Sequence, residues 1–160
     1  MSPQPVIHNT FVLERSYPVS IERVFNAFAD PAIRRRWFAP GDHHDVEAFE
    51  QDFRPWGLDR VVYRMKETSP IPGAVITNNG VYLDVVPNRR IVAAHTMKMG
   101  DHCFSASLTT VELIETAEGT SLLFTHQGAF FEGADGPKMR EAGWNALFDN
   151  LGRELGPGTE

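Results

Sequence analysis

The sequence predicts an α+β domain: a strongly curved antiparallel sheet of about seven strands wrapped around a long C-terminal helix, with two short helices between strands 1 and 2. Three observations predict it. Residues 46–128 read as an unbroken succession of strands joined by short turns, residues 141–155 hold a sustained helical period, and two brief helical patterns precede the strand run.

The first strand is "TFVLERSY", residues 10–17, ended by Pro18 before Ser20 offers a side-chain oxygen as a helix cap. Ile21, Val24, Phe25 and Phe28 follow on one apolar helical face. Asp30 and Pro31 restart the chain as a cap followed by a proline in the first helical turn, and Ile33 and Trp37 share a side of this second, shorter helix. Further strands are expected at 45–53, 58–67, 74–86, 90–98, 103–115 and 120–128. The links between them are short, which joins antiparallel neighbours, because a parallel crossover needs a dozen residues or more.

The closing helix is "EAGWNALFDNLGREL", residues 141–155, entered through Gly133 to Pro137. Its face of Trp144, Leu147, Phe148, Leu151 and Leu155 is a major source of stability, at ~1.5–3 kcal/mol per fully buried large side chain. A single helix covering so long a sheet requires the sheet to bend around it, and the two short helices then close one end of the trough. One domain spans residues 1–160, with 1–9 and 156–160 as flexible ends.

Composition narrows the function. Fifteen basic against 21 acidic residues give a formal charge of −6, which opposes a nucleic-acid partner. The run Arg34-Arg35-Arg36 reads as a solvated helix face. Cys103 is the single cysteine, so no intramolecular disulfide forms, and "MSPQPVIHNT" has no leader pattern; both fit a cytoplasmic protein. No apolar run reaches the ~18 residues of a membrane span, so membrane insertion is not expected. An exposed edge strand would allow a homodimer.

Four segments, "PVSIERVFNAFADPAIRRRWF", "DFRPWG", "GVYLDVVPNRRIV" and "EAGWNALFDNLGREL", together resemble the helix-grip superfamily. Its members include steroidogenic-acute-regulatory-related lipid-transfer domains, polyketide cyclases and the birch-pollen allergen. Within it, the chain looks most like the branch named after the activator of the ninety-kilodalton heat-shock protein ATPase. The resemblance implies the helix-grip fold and three kinds of job: binding a hydrophobic small molecule, activating a heat-shock ATPase, or cyclase or hydrolase chemistry. One departure is Trp56, which stands where the family usually has a glycine before Gly57.

Motifs for catalysis are sparse. No Gly-rich phosphate loop, H-E-x-x-H, C-x-x-C or G-x-S-x-G occurs, and neither a cofactor nor a metal is expected. His95, Cys103 and His126 lie on adjacent strands. Pairing His95 with Ala106 and His126 with Thr110 would leave a four-residue offset and separate the histidines by ~16 Å, too far for one ion. In "GDHHD", residues 41–45, adjacent side chains of an extended chain point opposite ways, which suits a solvated loop. An acid or base inside the trough would be Tyr63 or His126.

Strand parity and helical face send Phe25, Trp37, Phe49, Tyr63, Met65, Met97, Phe124, His126, Met139, Trp144, Leu147 and Phe148 inward, with Gly143 beside them. Rings and flexible thioethers pack around irregular space. An empty void of ~300 Å³ would cost several kcal/mol, a large share of the 5–15 kcal/mol typical of domains, so a cavity kept there implies use. Gly143 reads as a packing device that brings helix and sheet together, with room for a guest as the alternative. The expectation is a binder of an apolar or amphipathic small molecule rather than an enzyme.

Overall fold

The computed structural model describes residues 4–41 and 44–156. The chain runs β1 (Ile7–Tyr17), α1 (Ile21–Ala29), α2 (Pro31–Phe38), β2 (His44–Gln51), β3 (Leu58–Met65), β4 (Val75–Val86), β5 (Arg90–Met99), β6 (His102–Thr116), β7 (Gly119–Phe130) and α3 (Pro137–Leu155). The seven strands form one antiparallel sheet in the order β1-β7-β6-β5-β4-β3-β2, curved and unclosed, with β1 and β2 at its edges. This is the helix-grip architecture expected from the sequence. Register shifts in β2, β4 and the β5–β6 pair add bend where a flat ladder would not wrap a helix.

The caps of the short helices are those the sequence offers. The Ser20 hydroxyl accepts from Arg23 N at 3.3 Å, and the Asp30 carboxylate accepts from Ala32 N at 2.9 Å and Ile33 N at 3.4 Å. Two boundaries differ. The segment 1–9 was expected to be a flexible end, yet β1 begins at Ile7, because residues 7–9 find partners at 128–130 of β7. The closing helix starts at Pro137, four residues before the expected Glu141, since a proline in the first turn needs no N–H of its own there.

Phe124 and Phe148 are fully buried at the centre of the core, with ring centroids 5.0 Å apart, and Trp144 stands 4.4 Å from Phe124. The two halves of α3 are held differently. Its C-terminal half buries Phe148, Leu151 and Leu155 and is tied down by polar contacts. Tyr17 Oη donates to Phe148 O at 2.9 Å, an Arg23 guanidinium N–H to Leu155 O at 2.9 Å, and Asn150 Nδ2 to Trp37 O at 3.2 Å. In its N-terminal half Arg140 is buried while Met139 is 68% exposed.

At the β2–β3 turn, Trp56 adopts φ 66° and lies 76% exposed, while its N–H donates to Tyr82 O at 2.7 Å. The family's usual glycine here is explained by that left-handed backbone. The following Gly57 has no substitute, because a Cβ there would sit 1.9 Å from Asp52 O.

Candidate functional site

Two spaces lie between the sheet and α3. An inner chamber of about 60 Å³ is lined by Trp37, Phe124, His126, His95, Asp59 and Arg140, among others. An outer groove of about 360 Å³ is lined by Tyr63, Met65, Met97, Met139, Leu147 and Gly143. Phe38, Asn78, Arg140 and Trp144 line both, so these four side chains form the partition between chamber and groove. The cavity expected between sheet and helix is therefore divided, and its inner part is small. Left empty, the chamber would cost about 1–2 kcal/mol, and the larger space is a groove with an exposed rim.

The inward set divides accordingly. Trp37, Phe124 and His126 face the chamber; Tyr63, Met65, Met97, Met139, Gly143 and Leu147 face the groove; Trp144 serves both. Phe148 is fully buried behind Phe124 and lines neither. Phe25 packs edge-on against Phe53, with centroids 5.6 Å apart, and Phe49 lies under the guanidinium groups of Arg34 and Arg35, so both sit away from the two spaces. Met139 lies at the rim rather than inside. Gly143 overturns the close-approach reading: a Cβ there would meet nothing within 4 Å, whereas at Gly152 it would touch the Tyr17 ring at 3.4 Å.

The polar wall escaped the sequence reading. Asp59, buried on β3, accepts from Arg34 through Nη1 at 2.7 Å and Nη2 at 3.1 Å, and from His95 Nε2 at 2.7 Å. Burial alone would raise the Asp59 carboxyl, but the Arg34 guanidinium and the His95 N–H outweigh it and hold the group at about 2. Because that carboxylate is ionised and can only accept, His95 Nε2 carries the proton. Arg140 grips both oxygens of Asp135 at 2.7 and 2.8 Å and donates to Ser105 Oγ at 2.9 Å.

The spacing held the signal for each. Arg34 precedes Trp37 by one helical turn, Asp59 shares strand parity with Tyr63, His95 with Met97, and Arg140 lies one turn before Trp144. Charge at an inward position was the clue.

The histidines are nearer than the expected registers allowed. His95 pairs with Ser107 rather than Ala106, and His126 with Thr109 rather than Thr110, which halves the offset to two residues. Both now line one chamber, ~12 Å apart along the sheet. Cys103 pairs with Lys98 at the far end of β5. His126 is 1% exposed, stacked on Phe11 with centroids 4.7 Å apart. Burial pushes its imidazole down to about 4, with the Arg140 charge adding to the effect. Gly128 makes room for it, as a Cβ there would lie 2.8 Å from the His126 ring. Burial raises Tyr63 to about 12. Of the "GDHHD" segment, Asp42 and His43 lie outside the described residues; His44 packs on Tyr63, with centroids 4.3 Å apart. Among the described residues, no group of His, Cys, Asp and Glu is arranged to hold a metal ion, and no helix is long and apolar enough to cross a membrane.

The fold and the site define a helix-grip protein with an apolar groove and a polar inner end. The chain belongs to the family described as Activator of Hsp90 ATPase homolog 1-like protein, whose profile matches residues 18–156. Among solved structures, it is similar to an uncharacterized protein from Rhizobium leguminosarum, at 35% identity over 94% of this chain and 96% of that one, with a TM-score of 0.87. A protein from Rhizobium loti is 42% identical over 94% of this chain and 99% of that one, with a TM-score of 0.78. An AHSA1-like protein from Aeromonas hydrophila, at 22% identity over 92% of each chain and a TM-score of 0.67, shares the fold. Comparison with curated proteins gives no match.

Proposed function

We propose that this protein binds an amphipathic small molecule, with the apolar body in the groove between the sheet and the N-terminal half of α3 and one end turned toward the chamber. The observation that carries this reading is the groove itself: about 360 Å³ walled by Tyr63, three methionines, Trp144 and Leu147, with no side chain of Gly143 to fill it. That volume lies at the lower end for ligand sites, and an apolar wall with a few convergent polar groups is their usual composition. The thioethers suit a wall that adapts to a guest.

Native mass spectrometry of gently purified protein, followed by a thermal-shift panel of lipids and aromatic compounds, tests the proposal. Binding predicts a mass adduct or a rise in Tm that Gly143→Trp abolishes. No adduct and no shift from any member of the panel would remove it. Catalysis by Tyr63 or His126 draws less support, because their pKa directions carry both away from the near-neutral range that suits a general acid or base. Activation of a heat-shock ATPase rests on the family name.

A further inference from the structure

Two buried polar atoms of the chamber-lining residues have no hydrogen-bond partner: Asn78 Oδ1 and His126 Nδ1. Buried polar groups are nearly always satisfied, so an exception at a cavity points to a missing partner. The charges nearby are already matched, Arg34 by Asp59 and Arg140 by Asp135, each within 2.7 Å. A carboxylate or ammonium guest would therefore enter without a free counter-charge, which is costly away from water. The imidazole is neutral over the physiological range, since burial lowers it to about 4, so Nδ1 offers a lone pair or an N–H according to tautomer.

We infer that the chamber is a subsite for a neutral hydroxyl group, which makes the ligand class an apolar alcohol or phenol. This rests on the groove-binding reading above. A hydroxyl can donate to an amide oxygen or to an imidazole lone pair and can accept from an imidazole N–H, so it pairs with Asn78 Oδ1 or with either tautomer of His126; an ether cannot donate. The chamber's 60 Å³ holds a few waters or the polar end of a guest, and the body stays in the groove across the partition. A site built to bond a hydroxyl rejects the analogue lacking it more strongly than a pocket rejects a missing methylene.

Titration of the wild-type protein with 4-hexylphenol, 4-hexylanisole and 4-hexylbenzoate, followed by calorimetry, reads the preference. The phenol is expected to bind about tenfold tighter than the anisole, and tighter than the benzoate. In at least one of Asn78→Leu and His126→Phe the phenol-to-anisole ratio is expected to shrink to about twofold or less. Phenol and anisole binding equally to wild type would overturn the subsite while leaving the groove, as would a benzoate preference or a ratio untouched by both variants. Failure of all three probes to bind would overturn subsite and groove together. Should a variant fail to fold, the wild-type ranking decides alone.

Discussion

Gly143 and Gly152 sit on one helix but do opposite work. At Gly152 the Tyr17 ring lies against the space a side chain would take; at Gly143 nothing does. Gly143→Ala is therefore expected to stabilise the protein by up to ~1 kcal/mol, raising Tm by ~2–4 °C in a domain of this size; a fall in Tm would mean that this position of the helix tolerates no methyl. Asp59 is the contrasting case. Asp59→Ala strands the buried Arg34 guanidinium and should cost about 3–5 kcal/mol in urea unfolding, much of it recovered when Arg34→Met is added. At this scale the sequence was legible where residues were apolar. Parity marked Tyr63 and Met97 as inward, and the same parity held for Asp59 and His95, but a charged residue buried by pairing needs its partner, and Arg34 lies 25 residues from Asp59. Gly143 was misread because helical spacing shows which way a residue faces and not how far the opposing surface is.

Among the elements, α3 behaves as two segments in series. The half from Phe148 onward is bound to β1, α1 and α2 by Tyr17, Arg15, Arg23 and Arg36, and the earlier half leans on the Arg140–Asp135 pair, Trp144 and the bonds from Arg15 to Asn145. Tyr17→Phe removes a buried donor to Phe148 O. The expected loss is about 1 kcal/mol, with faster amide exchange concentrated at residues 148–155; an even change along the helix would count against the division. Strand boundaries followed the sequence closely because Pro and Gly turns punctuate them. The start of β1 did not, because Ile7 and His8 are both exposed, show no inward alternation, and are ordered by pairing with β7.

For the molecule as a whole, two buried groups contribute to the response to acid. His126 has a folded pKa of about 4 against 6.5 unfolded, so between those values the unfolded chain binds the proton that the folded chain refuses. Stability from this group is complete above pH 6.5 and declines as pH falls toward 4. Asp59, lowered to about 2 from 3.8, adds a second loss as pH falls below 4. The Tm of His126→Phe should fall by a few degrees less than that of wild type between pH 7 and 4.5; parallel curves would show that the imidazole is not the titrating group.

The sheet order has a kinetic consequence. From β2 to β7 every strand pairs with its successor, but β1 must wait for β7, roughly a hundred residues away along the chain. Closing so long a loop is entropically dear, and non-local pairing is slow. The meander can zip hairpin by hairpin while the amino-terminal segment is still unpaired, so in pulsed-labelling refolding β1 amides should gain protection after those of β4–β6. Simultaneous protection would mean that the two ends of the polypeptide meet before the middle has organised.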